Sequence, residues 1–99
     1  MRRERVLVVE DSVLVRKRLQ HQLESNEFQV ITAEDGKEAL DYLLANPHKI
    51  DVVLTDVVMP RVSGIALIEQ MKLHKKLKEI PIIVLTSDER PQIFSQLKW

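Results

Sequence analysis

The sequence predicts an α/β domain built on a parallel sheet with helices on both faces. Four short apolar runs recur along the 99 residues: Val6 to Val9, Phe28 to Ala33, Val52 to Thr55 and Ile80 to Leu85. They are rich in Val and Ile and nearly continuous rather than alternating, which is how strands read when helices cover both of their faces. The segments between them are long enough for crossover helices. With right-handed crossovers, the order β-α-β-α-β-α-β-α closes into one parallel sheet.

Each element has a local reason. The first strand lies between a basic stretch, Met1-Arg2-Arg3-Glu4-Arg5, and the acids Glu10 and Asp11. The helix after it starts at Ser12, a good N-cap. Val15, Leu19 and Leu23 then recur every four residues as one apolar stripe, while Arg16, Lys17, Arg18 and Gln20 fill the solvent side. The second helix opens at Asp35-Gly36 with Glu38 placed for a capping-box contact. Its expected buried face is Ala39, Leu40, Leu43 and Leu44, and Pro47 ends it. A third helix is expected from about Ser63 to Leu73, burying Ile65, Ile68 and Met71. A fourth is expected from near Asp88, with Pro91 in its first turn and Ile93, Phe94 and Leu97 buried.

Composition narrows the function classes. The length fits one domain, residues 1–99, with a single modest core. Hydrophobic residues make up 44% and charged residues 30%, ordinary for a globular chain. Fifteen Lys and Arg balance fifteen Asp and Glu. No global attraction to nucleic acid or an anionic membrane is expected from that balance. The absence of cysteine excludes disulfides, thiolate metal sites and thiol nucleophiles. There is no run of about 18 apolar residues to span a bilayer, and the first apolar run is too short for a signal peptide. A cytoplasmic protein is the expectation.

In parallel α/β sheets, ligands bind at the carboxyl ends of the strands, near the point where the winding reverses. Glu10 and Asp11 follow the first strand, Asp56 ends the third, and Thr86 and Ser87 follow the fourth. Taken singly, each has a mundane reading: a helix cap, a solvated charge, a loop opening. Together they place three carboxylates and two hydroxyls at one end of one sheet. Clustered carboxylates repel one another unless a cation joins them. An all-oxygen donor set suits a hard divalent ion, Mg²⁺ first and Mn²⁺ second, placed to neutralise an incoming phosphoryl group.

These residues carry a resemblance. The stretch Val6-Leu7-Val8-Val9-Glu10-Asp11-Ser12, the block Asp51 to Pro60 with Ser63-Gly64, the run Ile80 to Ser87 and the turn Ala33-Glu34-Asp35-Gly36 together resemble the receiver domain of bacterial two-component response regulators. The resemblance implies a flavodoxin-like three-layer sandwich with strand order 2-1-3-4. It implies that Asp56 accepts a phosphoryl group from a phosphohistidine on a sensor histidine kinase or phosphotransfer protein, in a Mg²⁺-dependent reaction. It further implies that Asp11, Asp56 and the backbone carbonyl of Val58 ligate the metal, that Glu10 acts through a metal-bound water, and that Thr86 binds the phosphoryl oxygen and acts as the switch. This agrees with the chemistry of a carboxylate nucleophile, where the protein supplies position and charge neutralisation. The expected activity is signalling with at most slow self-dephosphorylation, not turnover catalysis.

The chain departs from the family after its fourth β-α unit. The family's fifth strand usually carries a switch aromatic and ends in Lys-Pro, whereas this chain stops at Lys98-Trp99 and offers no residue matching either. Loss of one charge-assisted hydrogen bond to a phosphoryl oxygen would weaken the phosphorylated state by roughly ten- to a hundredfold. Without the last strand and helix, the fourth strand is expected to be an open edge and side chains of strands one, three and four to face water. Self-association through that edge and face is therefore expected.

The rival reading is a truncated, non-phosphorylated receiver-like module that binds a partner or itself. A metal-dependent phosphatase of another α/β family would want a second aspartate two residues after the nucleophile, where Val58 stands. The basic run Lys72 to Lys78 reads as a solvated loop, and His21, His48 and His74 show no ligand spacing.

Overall fold

The computed structural model describes residues 3–56 and 64–85, and the backbone of residues 91–93. The element order is β1 (Arg5–Val9), α1 (Val13–Ser25), β2 (Gln29–Ala33), α2 (Gly36–Ala45), β3 (Val52–Asp56), α3 (Gly64–Leu73), β4 (Ile82–Leu85) and β5 (Pro91–Ile93). The sheet runs β2-β1-β3-β4-β5. The first four strands are parallel, with Val8 level with Thr32 and Leu54, and Leu54 level with Ile83. This is the flavodoxin-like arrangement with the expected order 2-1-3-4.

The far edge differs from expectation. Residues 91–93 form a short strand antiparallel to β4, with Ile83 opposite Ile93 and Leu85 opposite Pro91, not the first turn of a helix. An unpaired strand edge offers a row of backbone donors and acceptors, and Pro tolerates an edge strand better than a central one. That edge overrides a helical stripe only three residues deep. β4 is consequently paired on both sides rather than open. The rest of the expected fourth helix, including Phe94 and Leu97, lies outside the described residues.

The two sheet faces are unequally covered. On one, Leu7, Val9, Val53, Ile82 and Val84 are fully buried with Ala39 and Leu43 of α2 and Leu67, Ile68 and Met71 of α3. On the other, α1 packs on β1 and Val6 and Val8 are buried, so, contrary to expectation, the side chains of β1 do not face water. Val52, Leu54, Ile83 and Leu85 on that face are only partly buried, and no residue of α1 is fully buried. A groove of about 440 Å³, lined by Leu19, Leu23, Phe28 and Leu54 among others, runs between α1 and the sheet.

The helix faces are rotated slightly from expectation. In α2 the buried set is Gly36, Ala39 and Leu43, and Leu44 points outward, 41% exposed. In α3 it is Gly64, Leu67, Ile68 and Met71, with Ile65 46% exposed. Both buried sets follow the i, i+3, i+4, i+7 stripe of a helix lying on a sheet.

Local chemistry fixes the ends. The Ser12 hydroxyl accepts from the Val15 amide at 3.3 Å, and the Asp35 carboxylate accepts from the Glu38 amide at 2.9 Å. The Glu38 carboxylate accepts from the Glu34 amide at 2.9 Å, one residue earlier than a capping box places it. α1 ends in a Schellman motif: the Phe28 amide donates to Leu23 O at 3.0 Å and the Glu27 amide to Glu24 O at 3.1 Å. Glu27 occupies its left-handed position, with φ 68°. At the opposite end of the sheet, Asp51 accepts from the Arg5 amide at 2.7 Å and from Arg5 Nε at 3.2 Å, tying the starts of β1 and β3.

Charge is sorted along the strand direction. Glu10, Asp11, Glu34, Asp35 and Asp56 gather at the carboxyl ends of β1 to β3. The segments that lead into β1, β3 and β4 at the other end are net basic, with Arg3, Lys49, Lys75, Lys76 and Lys78 against Glu4, Asp51 and Glu79. Lys75, Lys76 and Lys78 are exposed, as a solvated loop should be. Among the described residues, no helix is long and apolar enough to cross a membrane.

Candidate metal centre

The site forms where β1 and β3 end side by side. Val9 is level with Thr55, so one step further brings Glu10 beside Asp56. Side chains alternate across a strand, so Glu10 and Asp56 emerge on the same face as Val8 and Leu54. Asp11 follows in the loop that enters α1. The buried Thr55 hydroxyl donates to Asp56 O at 2.9 Å, holding the backbone under the carboxylate.

Glu10 is 5% exposed. Its amide donates to Ala33 O at 3.0 Å, extending the β1–β2 ladder, and its Oε2 accepts from the Ser12 amide at 2.9 Å. Asp11 is exposed and Asp56 is partly buried. One ligand atom from each of the three carboxylates lies within 4.8 Å of the others. Burial pushes the Glu10 carboxyl up to about 7, and its side-chain hydrogen bond with Asp11 and the charges of Asp56 and Asp11 push the same way, against the Ser12 amide. Burial foremost, and the neighbouring carboxylates after it, thus disfavour the charged form of Glu10, and a cation at the centre of the cluster would favour it. Three hard oxygen donors fit Mg²⁺, which keeps waters or phosphate oxygens in its remaining positions.

The expected residues Glu10, Asp11 and Asp56 are thus brought together. Val58 and Thr86, with Ser87 and Arg61, lie outside the described residues.

Arg16 was expected on the solvent side of α1 and is not there. Its side chain is 14% exposed. One terminal nitrogen donates to Glu10 O at 2.8 Å and to Asp11 O at 3.5 Å. The other lies 3.8 Å from Glu34 Oε1. The signal was in the spacing: helical side chains lean back towards the N-terminus, so a long cation one turn into α1 reaches the loop before it.

Comparison with known proteins bears on the family and the fold. A family model for the response regulator receiver domain matches residues 6–98. The two-component response regulator ARR17 of Arabidopsis thaliana is 34% identical over 96 residues, an alignment covering 87% of this chain and 63% of that protein. The chemotaxis protein CheY4 of Vibrio cholerae superposes with a TM-score of 0.81 at 31% identity, over 90% of this chain and 72% of that one. The response regulator protein TrrA of Thermotoga maritima, solved in complex with Mg²⁺-BeF, gives a TM-score of 0.77 at 34% identity, over 85% of this chain and 70% of that one. The chain spans less than two thirds of the length of the first curated relatives it matches.

Proposed function

As the chain belongs to the response regulator receiver domain family, we propose that it works as a phosphoacceptor in a two-component signalling system. A phosphoryl group passes from a phosphohistidine of a sensor kinase or phosphotransfer protein to Asp56. The observation that supports this most is the convergence of Glu10, Asp11 and Asp56 within 4.8 Å at the carboxyl end of the sheet. Asp56 supplies the attacking carboxylate oxygen, and the product is an acyl phosphate. Asp11 and Asp56 would hold Mg²⁺ directly, with Glu10 acting through a bound water. The ion supplies charge neutralisation for the incoming phosphoryl oxygens. The backbone carbonyl of Val58 and the hydroxyl of Thr86 complete the set by family likeness. The module signals rather than turns over substrate, and its setting is the cytoplasm.

The test is intact mass after incubation with Mg²⁺ and acetyl phosphate. One added phosphoryl group that is lost in Asp56→Asn supports the assignment. No gain, or a gain that persists in Asp56→Asn, removes it.

A second reading is an interaction module that keeps the fold without phosphorylation and associates with itself or a partner. The thin cover over Leu54, Ile83 and Leu85 favours it. Size exclusion at rising concentration discriminates, since a monomer throughout counts against self-association.

A further inference from the structure

We infer that Arg16 is a positioning residue for the divalent-cation site: its guanidinium fixes the loop that carries Glu10 and Asp11. The inference rests on the reading of that cluster as a cation site and assigns a role to a residue outside it. Arg16 sits in the first turn of α1, and its stem leans back over the loop joining β1 to α1. Its contacts are to main-chain oxygens, at 2.8 Å to Glu10 and 3.5 Å to Asp11, and to the carboxylate of Glu34 at 3.8 Å. Glu34 follows β2 directly and is tied in turn to α2, because its amide donates to Glu38 Oε1 at 2.9 Å. The guanidinium thus joins the chain leaving β1 to the chain leaving β2. A planar fork of donors does this; a single ammonium group reaches fewer of these oxygens at once.

The sign of the effect separates positioning from charge. A cation beside a cluster of carboxylates competes electrostatically with Mg²⁺, so its charge alone weakens metal binding. Its contacts hold the backbone of two of the three donor residues in one arrangement, which strengthens binding by removing the need to order the loop when the ion arrives. The 14% exposure of the side chain and its three oxygen partners favour the second effect.

The experiment is isothermal titration of the full chain with MgCl₂ at pH 8, comparing wild type with Arg16→Gln and Arg16→Lys. Thermal melts establish that each variant is folded. Positioning predicts that both variants bind Mg²⁺ roughly tenfold more weakly, because the lysine keeps the charge and loses the fork. Half-saturating Mg²⁺ for labelling by acetyl phosphate should shift by the same factor, while the rate at saturating Mg²⁺ stays within about twofold. Tighter binding in Arg16→Gln with no change in Arg16→Lys would show an electrostatic role only and overturn the inference. Wild-type affinity in both variants would do the same. If Arg16→Gln does not fold, Arg16→Lys decides alone, because it keeps the aliphatic stem and the charge. Failure of the wild type to take up Mg²⁺ would remove the cation site itself, a result distinct from an unchanged Kd in variants of a binding protein.

Discussion

Mg²⁺ binding should be steeply pH-dependent across neutrality, because the most buried member of the cluster titrates there. Glu10 is raised from an ordinary 4.5 to about 7, chiefly by burial. If the ion binds the charged form, only about one Glu10 in ten is ready at pH 6, and about nine in ten at pH 8. The apparent Kd should therefore weaken by roughly tenfold from pH 8 to pH 6. Near pH 7, binding should release about half a proton per site. Titration calorimetry at pH 6, 7 and 8, in two buffers of different ionisation enthalpy, reads both quantities. Glu10→Gln should flatten the profile, since the remaining neighbours then set it. A carboxylate with ordinary acidity would be fully ionised throughout that range. A flat Kd in the wild type, with no dependence on buffer, would therefore refute the argument that burial controls Glu10.

Other outcomes follow from the same structure. In EDTA, the raised pKa of Glu10 means that the folded chain holds a proton the unfolded chain has lost between about pH 4.5 and 7. Its contribution to stability is therefore present at pH 5 and lost as pH rises through 7; Tm should fall over that range, and the fall should vanish in Glu10→Gln. Asp35→Ala removes the buried cap of α2 and should cost about 1–2 kcal/mol in urea unfolding, with no loss expected if the cap is idle. Glu27→Gly relieves the left-handed residue after α1 and should raise stability by about 1 kcal/mol. A destabilised variant would show that the Glu27 side chain contributes more than its backbone strain costs.

Much of this molecule is legible because its signals are local. Ser12 and Asp35 announce their helices by capping chemistry, and both caps form as the residue pattern requires. The four apolar runs reveal parallel strands because burial on both faces leaves little room for polar alternation. The acids at the strand ends show the site because topology brings those ends together. What fails depends on non-local information. Ile65 and Leu44 are apolar enough to pass for core, and only the angle at which a helix lies on the sheet turns them outward. Arg16 looks like any surface cation until the loop before α1 curls beneath it. Residues 91–93 read as helix because the free edge of β4, which recruits them as a strand, does not exist in the sequence until the sheet is assembled. The cover of β1 by α1 is likewise a matter of packing.

The sorting of charge along the strands imposes an order of arrival. The chain has no net charge, yet five acidic residues, with Arg16 set among them, stand at one end of the sheet. On the phosphoacceptor reading proposed above, a phosphorylated donor would therefore meet a net negative surface. That approach is repulsive over roughly a Debye length, about 8 Å at physiological salt. A dication seated first would offset two of those charges and weaken the repulsion. On that reading, a seated divalent ion would ease encounter with a donor before any contact is made, while the basic segments at the far end help bring the chain's net charge to zero.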